Sequence, residues 1–178
     1  YPKSIVKIIK PFLKKNEILP SQVISVDDVR KGRPYPDMCL KNFSKLRLKN
    51  PKSKVSCHYL INRKGDIIQL VKEKYVAWHA GKSKWKKFVN LNSCSLGIEL
   101  TNRGHQFGYE NFSSKQIDSL IRLCKSLKKR YHVKSENFLG HSDIAPLRKN
   151  DPGEKFPWKK LSTYNFGSWY SVKKYNFK

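Results

Sequence analysis

Apolar residues of the first third fall at helical spacing in two stretches. Ile5, Ile8, Ile9, Phe12 and Leu13 predict a helix near the start, and Met38 to Leu48 a second one. Between them, "QVISVDDV" predicts a strand and "KGRPYPDM" a turn. From Val55 the pattern changes. "VSCHYLI" and "IIQLV" predict two strands of a hairpin, joined by "NRKGD" with Gly65 at the bend. "SLGIELT" predicts a further strand, in which Leu96, Ile98 and Leu100 face a core. Ser113 opens a helix, and Gln116 three residues on suggests a capping box. Its apolar stripe is Ile117, Leu120, Ile121, Cys124, Leu127 and Tyr131; Lys115, Asp118, Arg122, Lys125 and Lys129 form a solvated face. "GHSDIAPLRKNDPGEKFPW", Gly140 to Trp158, predicts a loop too rich in Pro and Gly for a helix, and "FPWKKL" a short helix after it.

Composition adds limits. At 178 residues the chain has room for one domain and a fragment of another. No stretch approaches the roughly 18 apolar residues of a membrane span. "YPKSIVKIIKPFLKK" has neither the apolar run nor the small-residue site of a secretory signal. Net charge is +25, but 30 of the 38 basic residues are Lys. Nucleic-acid readers lean on the bidentate Arg fork, so a Lys-biased solvated surface is favoured and no nucleic-acid partner is expected. Attraction to an anionic polymer, such as cell wall or nucleic acid, is the weaker functional reading. Cys39, Cys57, Cys94 and Cys124 show no CxxC spacing, which argues against a zinc ribbon or redox pair and for buried thiols.

Three groups could carry chemistry. In "SLGIELT", Glu99 shares its face with Ser95, Gly97 and Thr101, so a carboxylate among small residues predicts the floor of an open space. The plain alternative is an exposed Glu on a wet sheet. In the later loop, His141 and Asp151 suit a catalytic zinc, which takes protein ligands from His, Asp, Glu or Cys and leaves a position for water. The alternative there is a structural His and a turn Asp before Pro152. Lys149 near such a site would set a cation where an oxyanion forms.

Together these stretches resemble the zinc-dependent N-acetylmuramoyl-L-alanine amidases of the peptidoglycan-recognition-like family, from about Val55 to Leu161. The resemblance rests on "VSCHYLINRKGDIIQLV", "AWHAGKSKW", "LNSCSLGIELTNRG" and "LGHSDIAPLRKNDPGEKFPW". It implies hydrolysis of the amide between the muramyl lactyl group and L-alanine. It implies Zn2+ held by His141 and Asp151, Glu99 as general base, and Lys149 stabilising the tetrahedral intermediate. It places His79 of "AWHAG" on or near the substrate cleft. One feature departs. The family has another zinc-binding His in a first-strand pattern like "VIHYT", ahead of the "SxHY" strand, and none occurs here. His58, the first His of the chain, matches a position that is not a ligand. If "QVISVDD" took the first-strand place, Ser25 would fall near the missing His, and Asp27 or Asp28 could lend a carboxylate beside "SLGIELT".

The first segment resembles something else. "VISVDDVRKGRPYPDMCLKNFSKL" is similar to a piece of haloacid-dehalogenase-type phosphonoacetaldehyde hydrolases without their nucleophilic Asp; Arg33 is what it keeps. The expected organisation is a hydrolase-like fragment over 1–55 and an amidase-like domain over 56–178. The expected fold is α/β (α+β), a mixed β-sheet flanked by helices. The expected partner is peptidoglycan or a muropeptide, with the compartment open between cell envelope and cytoplasm. Because the first zinc-binding His is missing, a non-catalytic peptidoglycan-binding domain is the alternative.

Overall fold

The computed structural model describes residues 3–9, as backbone, and residues 56–170. Its centre is a five-stranded sheet. In chain order the strands are β1 (Lys3–Ile9), β2 (Tyr59–Ile61), β3 (Ile67–Gln69), β6 (Ser95–Thr101) and β7 (Phe138–Gly140). They lie side by side as β3-β2-β6-β1-β7. A separate two-stranded ribbon joins β4 (Lys84–Trp85) to β5 (Phe88–Val89). The helices are α1 (Ser114–Tyr131), α2 (His141–Ile144) and α3 (Trp158–Ser162). Among the described residues no helix is long and apolar enough to cross a membrane.

The hairpin, the "SLGIELT" strand, the long helix and the short one fall where the pattern places them. Gly65 takes φ 89°, and a Cβ there would meet the Lys115 carbonyl at 2.7 Å, so only glycine fits. The Asn62 amide oxygen accepts from the backbone N–H of Lys64 and of Asp66, closing the turn. Ser113 caps α1 by accepting from the Gln116 N–H. The second half of the expected box does not form. Gln116 instead donates to the Ile61 and Thr101 carbonyls, tying β2 and β6 to the helix. Cys57 and Cys124 are buried as expected, and Cys94 is half-buried.

Two expectations are corrected. Lys3–Ile9 is a strand, not a helix. Four of its seven residues are β-branched, which favours extended backbone, and it gains two antiparallel ladders, to β6 and to β7. The stretch after β7 is not all loop: His141–Ile144 forms one helical turn, stopped by Pro146, with the Asp143 carboxylate accepting from the Gly140 N–H at 2.7 Å. Both edges of β6 are taken, by β2 and β1. The strand expected over "QVISVDDV", with Ser25, Asp27 and Asp28, lies outside the described residues, as do Arg33, Cys39, the helix expected over Met38 to Leu48 and the boundary near residue 55.

One sheet face carries Tyr59, Ile61, Leu96, Ile98, Leu100 and Phe138, packed under α1 and α3 as the main core. Leu139 lies on the other face with Ala80, Leu91, Ile144 and Ala145, and Trp85 and Phe88 of the ribbon close over them. This second, smaller layer positions the site.

Candidate active site

Register puts the chemistry on one face. Val6 of β1 pairs with Ile98 on one side and with Gly140 on the other. Strands β6 and β7 both run antiparallel to β1, so one step further along brings Glu99 level with His141. Two strand spacings, about 10 Å, separate their backbones. Leu60 of β2 pairs with Glu99, and the His58 N–H bonds the Gly97 carbonyl. His58, Gly97, Glu99 and Leu139 therefore share the face opposite α1.

The segment Ala77–Ala80 crosses that face. His79 sits over Gly97 so closely that a Cβ there would lie 2.4 Å from its ring. Asn92 fixes the crossing: its amide oxygen accepts from the N–H of His79 at 3.0 Å and of Ala80 at 2.6 Å. His58 braces the underside. Its Nδ1 accepts from the Gly97 N–H and its Nε2 donates to the Tyr75 carbonyl, and its ring meets that of His79 edge-on at 5.5 Å. The face is not the open floor expected from "SLGIELT". Glu99 is 0% exposed and His79 3%.

His141 and Asp151 do meet. His141 Nδ1 lies 3.1 Å from Asp151 Oδ2. His141 Nε2 is 3.1 Å from the Ala80 carbonyl, which also takes an Arg148 N–H at 2.8 Å. A carbonyl only accepts, so Nε2 carries the proton and Nδ1 presents a lone pair to a carboxylate. Two acceptors so close need either a second ring proton or a cation between them. A metal-binding His characteristically gives its other N–H to a carbonyl in this way. Two tetrahedral zinc ligands stand about 3.4 Å apart at ordinary bond lengths. The pair thus fits a divalent cation as two ligands. Among the described residues no third His, Cys, Asp or Glu joins them.

The loop between the pair is closed on itself. The Ser142 N–H bonds the Asp151 carbonyl at 2.9 Å, and the N–H groups of Arg148 and Lys149 share the Ala145 carbonyl. Lys149, Asn150 and Pro152, the neighbours of Asp151, line an open cleft of ≈ 470 Å³ with His105, Glu154 and Trp158. Tyr109 pins the cleft wall by donating to the Pro152 carbonyl at 2.6 Å. Sequence reasoning missed Ala80, Asn92 and the seat at Gly97. An isolated glycine inside a strand was the available signal of a close approach.

With this geometry in view, the chain matches the N-acetylmuramoyl-L-alanine amidase family over residues 30–154. It belongs to that family. It is 45% identical to the N-acetylmuramoyl-L-alanine amidase AmiD of Escherichia coli (strain K12), over 69% of this chain and 49% of AmiD. It is 37% identical to the 1,6-anhydro-N-acetylmuramyl-L-alanine amidase AmpD of Enterobacter cloacae, over 60% of this chain and 55% of AmpD. The chain spans about half the length of these curated relatives. The amidase fold is shared with AmiD from E. coli in complex with anhydro-N-acetylmuramic acid-L-Ala-D-γ-Glu-L-Lys. There the TM-score is 0.64 and identity 42%, over 71% of this chain and 54% of that one. It is shared also with AmpDh3 from Pseudomonas aeruginosa in complex with anhydromuramic pentapeptide, at TM-score 0.61 and 38% identity, over 67% and 55% of the two chains.

Proposed function

We propose that this amidase-family chain hydrolyses the amide bond between N-acetylmuramic acid and L-alanine in peptidoglycan or muropeptides, with zinc held by His141 and Asp151. The observation that carries the proposal is the face-to-face His141–Asp151 pair, whose other ring nitrogen is committed to the Ala80 carbonyl. Zinc in such a site acidifies water and polarises a carbonyl. Glu99, level with His141 on the same face, holds the proton taken from the attacking water and returns it to the leaving amine. Lys149, half-buried on the cleft wall beside Asp151, offsets the charge of the tetrahedral intermediate. His79, buried over Gly97, precedes the Ala80 whose carbonyl bonds His141, and is the histidine that this crossing brings to the proposed substrate side. The likeness of residues 1 to 55 to phosphonoacetaldehyde hydrolases lies almost wholly outside the described residues and plays no part here.

The test is mass spectrometry of L-alanine-terminated peptide released from anhydromuropeptide and from purified peptidoglycan by the zinc-loaded chain. Release that is lost in His141→Ala and in Asp151→Ala supports the site. Tight zinc binding that persists in His141→Ala overturns it. With two donors among the described residues instead of three, a binding-only domain is the competing reading. Retention on peptidoglycan with no peptide release would select it.

A further inference from the structure

The β4–β5 ribbon carries Lys82, Lys84, Lys86 and Lys87 within six residues and no carboxylate of its own. All four side chains are exposed. Among the described residues one carboxylate pairs with them: Glu136 reaches Lys86 at 3.5 Å. Like charges so close repel one another, so the cluster is a cost to folding.

The turn adds a second cost. Trp85 pairs with Phe88, leaving Lys86 and Lys87 as the two central residues, and Lys86 sits at φ 50°. Two-residue hairpin turns with positive φ favour Gly, Asn or Asp, which adopt that backbone easily. Here a lysine takes the position, keeping a cation at the tip. The ribbon is also rigidly mounted. Trp85 and Phe88 pack onto the second core layer, and the Trp85 indole N–H bonds the Asn137 side chain at 3.2 Å. Its base is tied to the site: Arg148 donates to both the Ala80 and the Lys82 carbonyls, and Ala80 holds His141.

From this we infer that the ribbon is a docking surface for polymeric, carboxylate-bearing peptidoglycan, which it holds at the mouth of the site. The inference rests on the proposed function and narrows its substrate to the insoluble wall. A single soluble muropeptide offers the carboxylates of only one stem peptide to four separate lysines. A mesh of repeated stem peptides meets all of them at once. The cations are all Lys, compact point charges without the Arg fork, which suits diffuse attraction to many carboxylates and not the reading of bases.

The full chain is tested by co-sedimentation with protein-free peptidoglycan stripped of phosphate polymers, at 50 and 300 mM NaCl. In parallel, turnover of soluble anhydromuropeptide is measured. Wild type is expected to sediment at low salt and to be released at high salt, since exposed charges are screened over about 8 Å at physiological ionic strength. The K82Q/K84Q/K86Q/K87Q variant should lose at least tenfold in wall affinity with soluble turnover unchanged. K84Q/K87Q, which leaves the positive-φ position Lys86 untouched, should lose an intermediate amount and guards against misfolding of the fourfold variant. Equal wall binding by variants and wild type overturns the inference, as does an equal fall in soluble turnover. Binding only to wall that keeps its phosphate polymers, or tighter binding to duplex DNA, also overturns it. Salt-sensitive wall binding without peptide release leaves the docking surface standing and refutes the hydrolytic proposal instead.

Discussion

Gly97→Ala tests whether the crossing segment really sets the candidate ligand. A Cβ at Gly97 would lie 2.4 Å from Cγ of His79 and 2.7 Å from its Cβ and Nδ1. Ordinary contact is about 3.5–4.0 Å, so the imidazole must retreat by roughly 1 Å. It cannot swing away at its tip, because the clash is at the root of the ring. The backbone behind it is held by Asn92, and Ala80 next door holds His141. Overpacking of this kind costs about 1–3 kcal/mol. Alanine in a strand regains roughly 0.5–1 kcal/mol over glycine. The net expectation is a loss of about 1–2 kcal/mol in urea unfolding, with zinc affinity down roughly tenfold, the scale seen when a partner behind a metal ligand is disturbed. The decisive control is the double-mutant cycle with His79→Gly, which removes both the ring and the Cβ that would lie 2.7 Å away. In that background Gly97→Ala should cost under about 0.5 kcal/mol, giving a clear coupling. An equal cost in both backgrounds, or unchanged zinc affinity in the single variant, would refute the claim that His79 and Ala80 carry strain to His141.

Other perturbations separate fold from chemistry. Ile98→Asp buries a charge at a position 0% exposed in the main core, so the chain should fail to fold by circular dichroism. The penalty, several kcal/mol, rivals a domain's whole margin of about 5–15 kcal/mol. Glu99→Gln keeps size and shape and should leave the circular dichroism spectrum intact while abolishing peptide release. Gln116→Leu strips partners from the Ile61 and Thr101 carbonyls, and a loss of about 2 kcal/mol in urea unfolding is expected. Burial, then the Glu73 carboxylate to which it donates, pushes the Tyr131 phenol up to about 12. The folded state then holds that proton more tightly than the unfolded chain, so stability should fall as pH rises from about 10 towards 12. Unfolding free energies across that range should decline less steeply in Tyr131→Phe.

The sequence by itself determined the elements whose signals are local. Gly65 marked its turn because only glycine tolerates that φ. The α1 stripe was legible because one face of a helix repeats every 3.6 residues, and "SLGIELT" because a strand alternates. The His141–Asp151 pair was legible as residue types matched to a family pattern. What tertiary structure decided was everything set by pairing at a distance. Lys3–Ile9 has helical spacing and β-branched content at once, and only the slot between β6 and β7 resolves the conflict. Strand alternation names a face for Glu99 without saying what covers it, and packing buries it fully; the Ala77–Ala80 crossing, held by Asn92, is seated on Gly97 two residues before it. The proton position on His141 follows from the Ala80 carbonyl, 61 residues away in sequence. Periodicity reports how a segment meets its immediate surroundings, whereas a site depends on which distant backbone atom arrives within hydrogen-bonding reach, and that is fixed only when the layers pack.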